Sequence, residues 1–219
     1  MGGGVYTDDD GIEIPVAIRK FENNRAENFD RDVSVLKNLR GHPYIIHMYH
    51  ECVSGDARFV AFETELVDLK ALFPGKISEL LVQKIVYQMM AALKSLEKYE
   101  KTIFIKPENI LVKMDGQEYD RFILADFFST QNFQKEAELM YMNKRHDLSS
   151  ISTLTFSLLT GREDNKFTQN DREVLSHSAR DFVTQNLKSF KLFCDHPFVS
   201  SYKPIHDMVE QNKAQRAEI

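Results

Sequence analysis

Cysteine is scarce. Cys52 and Cys194 are the only two in 219 residues and lie far apart, with no CxxC spacing. Such a pair supports neither a disulfide framework nor a cysteine zinc site, and reads as reduced, intracellular thiols. Long apolar runs are missing too. None approaches the ~20 residues needed to cross a bilayer, and the N-terminus lacks the apolar core of a signal peptide. Met1-Gly2 opens as a myristoylation signal does, but Tyr6 stands where that signal wants Ser or Thr. The expected location is cytoplasmic, with no membrane partner. Positive charge is not in excess: Lys and Arg total 28 against 33 Asp and Glu, a net charge of -5. A phosphate backbone is bound by a basic surface, so nucleic acid is not expected as a partner. The seven histidines include no HExxH-like spacing, and the neighbours His42, His47 and His50 read as packed or solvated rather than as metal ligands.

Ordinary globular patterning fills the chain, 42% hydrophobic and 28% charged. Val5-Tyr6 and the run Ile12 to Phe21 flank the turn Asp8-Asp9-Asp10-Gly11, a hairpin signal because Gly tolerates the positive φ such a turn needs. From Arg25 to Arg40, the spacing of Phe29, Val33, Leu36 and Leu39 predicts one helix face, stopped by Gly41 and Pro43. Strands are expected at Ile45 to Tyr49 and Arg58 to Glu63. A short helix follows at Val67 to Phe73, then a long one from Ser78, a good N-cap, to Tyr99. Short hydrophobic segments at Ile110 to Val112 and Phe122 to Leu124 precede a helical remainder: Leu148 to Leu159 closed by Gly161, Arg172 to Phe190, and a tail from about Lys203. A small β-rich half thus precedes a larger helical half, with no repeat or low-complexity linker between them.

Three stretches carry a more specific message. Val16-Ala17-Ile18-Arg19 lies on the strand before the first helix. Lys106-Pro107-Glu108-Asn109-Ile110-Leu111-Val112 follows the long amphipathic helix, and Leu124-Ala125-Asp126-Phe127-Phe128 comes about fifteen residues later. Each fragment alone is weak, but the succession resembles the signature set of eukaryotic protein kinases: VAIK strand, HRDLKxxN catalytic loop, then DFG. Further matches are His42-Pro43 with Ile45-Ile46, Phe62 to Glu65 at the gatekeeper and hinge, the helix from Asp147 to Leu158-Leu159-Thr160-Gly161, and His196-Pro197-Phe198. Within the superfamily, the opening Gly-Gly-Val-Tyr, the short stretch from Asp126 to Asp147 and the block Lys144 to Leu148 resemble the kinase-homology domain of RNase L and of the unfolded-protein-response kinase/ribonuclease.

The resemblance implies an α+β, bilobal protein-kinase-like fold with its glycine loop and activation segment truncated. Residues 1–62 would form a small antiparallel β lobe with one helix, 63–66 a hinge and 67–219 a mainly helical lobe. Phosphoryl transfer on this fold relies on positioning and charge neutralisation. The positions implied for nucleotide are Arg19, Asp32, Glu63, Glu65, Lys106, Asn109 and Asp126, with Asn109 and Asp126 as Mg²⁺ ligands; ATP and Mg²⁺ binding is expected to be impaired. Asn109, Asp126 and Lys106 are equally readable as a hydrogen-bond network retained for the fold. The HRD slots hold Thr102, Ile103 and Phe104, and a phenylalanine cannot accept a proton, so no catalytic base is assigned. Arg19 replaces the lysine of VAIK and Asp32 the helix glutamate; strand alternation turns the neighbouring Lys20 to the other face. Phe128 replaces the glycine of DFG, and Gly2, Gly3 and Gly4 look like the last residues of a clipped glycine loop. A pseudokinase acting as a binding or dimerisation module, with protein partners or a second copy, is therefore expected. The competing readings are a weakly active Ser/Thr kinase and a truncated paralogue of an RNase L-like kinase/ribonuclease.

Overall fold

The computed structural model describes residues 2–22, 26–99, 105–125, 127, 137–162, 166–185, 189–203 and 207. The chain opens with a hairpin of β1 (Gly2–Thr7) and β2 (Glu13–Glu22), as the acidic turn predicts. Asp8 organises that turn: its carboxylate accepts the Asp10 and Ile12 N–H groups at 3.1 and 2.8 Å, while Gly11 takes a φ of 81°. A side-chain cap of this kind stands in for backbone partners and lets the chain reverse. Helix α1 (Ala26–Asn38) follows, then β3 (Met48–Ser54) and β4 (Ala57–Glu63). These strands form one antiparallel sheet in the order β1-β2-β4-β3. Phe29, Val33 and Leu36 of α1 are buried, the face that the sequence spacing predicts.

The second lobe begins with β5 (Leu66–Asp68) and α2 (Leu69–Leu72), then α3 (Glu79–Leu96). The hairpin β6 (Ile110–Asp115) and β7 (Glu118–Leu124) joins β5 in a small sheet of order β5-β6-β7. Helices α4 (Ala137–Thr160), α5 (Gln169–Val174), α6 (His177–Thr184), α7 (Phe190–Asp195) and α8 (Pro197–Ser200) complete the lobe. Val82, Ile85, Val86, Met89, Ala92 and Leu96 place α3 at its centre, all at most 2% exposed. Gln88, on the same buried helix, accepts the Phe122 N–H at 2.8 Å and so ties α3 to β7.

Several boundaries differ from the sequence expectation, through tertiary pairing or through local capping. Ile45 is not in a strand; it makes a single parallel bridge to Leu124, and β3 starts at Met48. Val67 and Asp68, expected to start a helix, instead lie in β5, which pairs with Leu111–Lys113, and the Asp68 carboxylate then caps α2 through the Ala71 N–H at 3.0 Å. The single helix expected over Arg172 to Phe190 is interrupted. Thr168 and Asp171 form a reciprocal capping box for α5, and Ser176 caps α6 through Ala179. Ser78 occupies the N-cap position of α3 but makes no side-chain cap bond. Gly161 does end α4: its φ is 71°, and a Cβ there would meet the Lys76 nitrogen at 2.9 Å.

Candidate nucleotide site between the lobes

Of the described residues singled out in the sequence, Lys106 and Asn109 lie beside the junction of the two sheets. Lys106 precedes a single 3-10 turn, Pro107–Asn109, whose last residue opens β6. Pro107 suits the first position of the turn because its missing N–H has no partner to lose there. The Asn109 N–H donates to the Lys106 carbonyl at 2.9 Å, and the Asn109 carbonyl accepts the Ala125 N–H at 2.8 Å. Two segments sixteen positions apart in sequence are thereby fastened side by side. Asn109 is 4% exposed, and Ala125 and Phe127, on either side of position 126, are 6% and 1% exposed. Asp126 itself, like Phe104 and Phe128, lies outside the described residues. Lys106 is exposed. The turn is braced from α2, where Lys70 pairs with Glu108 at 2.8 Å, a bond that holds the Glu108 carboxyl below its ordinary range.

The small lobe is stitched to this point by backbone bonds. Leu124 donates to the Tyr44 carbonyl at 2.9 Å, and Ile46 donates to the Leu124 carbonyl at 3.0 Å. On the small-lobe side, Asp32 shares the buried face of α1 and is 3% exposed. A carboxylate that deep stays in a fold only when its neighbours satisfy it, and Asp32 is engaged by neighbouring groups. Arg19, in β2, is half-buried with its guanidinium 5.0 Å from the centre of the Phe21 ring, whereas Lys20 is exposed on the opposite face. Phe21 in turn meets Phe29 edge-on at 5.3 Å, one helical turn before Asp32.

The two acids expected at the hinge divide in role. One Glu63 carboxylate oxygen accepts the His47 N–H at 2.8 Å, and the Glu63 N–H donates to the His47 carbonyl at 3.0 Å. Glu63 is thus committed to holding the entry of β3, where the ladder to β4 shifts register between Met48 and His50. Glu65 is exposed and has a φ of 63°, a left-handed conformation unusual for a residue with a Cβ.

Sequence reasoning did not foresee three polar anchors around this junction. Ser150 of α4, 1% exposed, accepts the Ile105 N–H at 3.1 Å. Gln88 holds Phe122 as described. His42 bridges the lobes: its Nδ1 accepts the Tyr44 N–H at 3.2 Å, and its Nε2 lies 3.0 Å from Ser95 Oγ on α3. The Ser95 hydroxyl donates to the Ala91 carbonyl at 3.3 Å, so the arrangement is satisfied by a neutral imidazole protonated on Nε2. Ser150 and His42 sit in stretches the sequence already marked, but their partners are distant in the chain.

Burial lowers the pKa of His42 from its ordinary value of 6.5, and burial likewise lowers that of His47, with Arg40 adding to the effect and Glu63 opposing it. A base held neutral in the folded state binds fewer protons than in the unfolded chain. Stability is therefore fully present above the unfolded value and falls as pH drops below it, at most by about 1.4 kcal/mol per pH unit for each group. Urea denaturation at pH 7.5 and 5.5 should show a fall that His42→Asn reduces, alongside a loss of about 1 kcal/mol at the higher pH for the altered bridge. An unchanged pH dependence in the variant would remove His42 from this role.

The antiparallel small lobe, the helical large lobe and the Asn109 turn against the end of β7 define a bilobal, kinase-like α+β protein. Residues 10–149 match the family model described as the protein kinase domain, and the chain belongs to that family. The human protein named MAPK/MAK/MRK overlapping kinase is 28% identical over 153 residues, which is 67% of this chain and 35% of that protein. Its mouse counterpart is 29% identical over 151 residues, 66% of this chain and again 35% of the relative. Kinase domains in general bind ATP with Mg²⁺. The oxygen donors that Asn109 and Asp126 offer suit a hard cation of this kind. No helix among the described residues is long and apolar enough to cross a membrane.

Proposed function

We propose that the chain is a pseudokinase: a kinase-fold module for nucleotide or protein binding whose phosphotransfer is lost. The observation that carries this reading is Phe104, an aromatic ring in the sequence slot of the catalytic base, two residues before Lys106. Removal of general-base assistance typically costs 10²–10⁴-fold in rate. Arg19 at the VAIK lysine position, Asp32 at the helix glutamate and Phe128 at the DFG glycine weaken phosphate placement further. What remains in favour of a nucleotide site is the buried Asn109 turn fastened to Ala125, with Lys106 preceding it. Asn109 and Asp126 would hold Mg²⁺, and the metal would neutralise phosphate charge there. With Glu63 tied to His47, the hinge would offer Glu65 and neighbouring backbone to a base.

A thermal-shift titration with ATP, with and without Mg²⁺ and Mn²⁺, tests the binding half of the proposal. Weak, metal-dependent stabilisation is expected, with little effect of ATP alone. Stabilisation at millimolar ATP that is lost in Asn109→Ala supports the site; no stabilisation with either metal leaves only the interaction role.

The second reading, a weakly active Ser/Thr kinase, draws support from relatives that are themselves named as kinases. The RNase L-like reading rests on the opening glycines with Val5-Tyr6 and on Lys144 to Leu148. It suggests homodimerisation as the mode of action, and light scattering on the purified chain reads that directly.

A further inference from the structure

We propose that Ser150 is the positioning residue of the Lys106–Asn109 turn, fixing from α4 the loop that presents Asn109 and Lys106. This deepens the nucleotide-binding reading above and rests on it for its ligand. The Ser150 hydroxyl accepts the backbone N–H of Ile105 at 3.1 Å, and both residues are 1% exposed. A buried backbone donor has no water to turn to, so this single side chain sets where the strand of chain entering the turn must lie. From Ile105 the linkage is continuous. Lys106 accepts from Asn109, Asn109 accepts from Ala125, and Leu124 is bonded to both Tyr44 and Ile46. The α4 segment carrying Ser150 is itself immobilised in the core: Ile151 and Leu154 are at most 1% exposed, and the Thr155 hydroxyl bonds back to Ile151 within the helix. Ser150 is thus a fixed point on a packed helix, and the turn hangs from it. Without the hydroxyl, the Ile105 N–H loses its partner and the Asn109 side chain loses its reference to the large lobe.

The decisive measurement is amide hydrogen exchange at single residues, on the whole chain, with Thr155→Ser as the control for a general core disturbance on the same helix. In the unaltered chain, Ile105, Asn109 and Ala125 should exchange as slowly as the buried amides of β7. Ser150→Ala should accelerate these three by about tenfold relative to β7, a change of the size one lost hydrogen bond gives. Thr155→Ser should slow or speed all core amides together, without singling them out. A companion arm compares ATP affinity with and without Mg²⁺. Ser150→Ala should lower the metal-dependent gain several-fold, and by more than it lowers the metal-free affinity, a split that general destabilisation does not produce. If the unaltered chain shows no metal-dependent gain, the nucleotide reading fails and the exchange data alone decide the role of Ser150. Fast exchange at Ile105 in the unaltered chain, or a Ser150→Ala pattern matching Thr155→Ser, overturns the proposal. If Ser150→Ala does not fold, the exchange of the unaltered chain decides.

Discussion

Phe182→Ala should destabilise the chain by about 3–5 kcal/mol, the largest single-residue stability loss expected here. Phe182 is fully buried in α6, and three other rings converge on it: Phe193 edge-on at 5.4 Å, Phe198 stacked at 5.0 Å and His196 at 5.1 Å. Those partners come from α7, α8 and the link between them. The His196 ring is itself pinned. Its Nδ1 accepts the Phe198 N–H at 3.1 Å, which leaves Nε2 to donate to Asp181 at 3.2 Å. With its neighbours held, the site cannot collapse to fill the void, and the cavity contribution adds to the lost transfer energy. Val174, 61% exposed, provides the contrast: Val174→Ala should stay within about 0.5 kcal/mol. Urea denaturation of both variants measures this. A Phe182→Ala loss under about 1 kcal/mol would mean that the last three helices pack loosely.

Restoring a carboxylate by Phe104→Asp should leave γ-phosphate transfer at background. Were the missing base the sole defect, restoring it would raise the rate by about 10²–10⁴-fold, so the two outcomes are far apart. Three other positions stand against rescue. Arg19 presents a planar fork in place of a lysine ammonium, and its guanidinium already lies over Phe21. By the resemblance Phe128 would stand at the glycine of DFG, and the glycines at positions 2 to 4 begin the edge strand β1. Groups that act as a unit are not additive, so repairing one leaves the others limiting. A filter-binding assay with labelled ATP and a generic acceptor protein reads the result. A rise of a hundredfold or more in Phe104→Asp would show that the rest of the machinery is intact.

The family and the lobe order were legible because they rest on short motifs in a fixed succession and on strong periodicity. The helix face of Phe29, Val33 and Leu36 and the core face of α3 needed only spacing. The hairpin at Asp8 to Gly11 needed only turn chemistry. What escaped the sequence was everything decided by distant partners. Ile45 looks like a strand residue but meets Leu124, and Val67-Asp68 looks helical but joins the β6–β7 sheet as part of β5. Capping at Ser176 and Ser189 breaks what apolar spacing alone reads as one helix. In the candidate site, Asn109 was identified by its motif, and its fastening to Ala125 follows from the fold. Glu63 was expected at the hinge for its motif position, and its carboxylate serves His47, a bond no motif encodes. Ser150, Gln88 and His42 act on partners 45, 34 and 53 residues away, beyond any local pattern.

Loss of phosphotransfer is the central claim, and its most direct measurement is incorporation of γ-phosphate from ATP by the native 219-residue chain, with Asp126→Asn as control. The native chain and the control should both remain at background with Mg²⁺ or Mn²⁺. Clear incorporation by the native chain that disappears in Asp126→Asn would contradict that claim and establish a working, if slow, kinase.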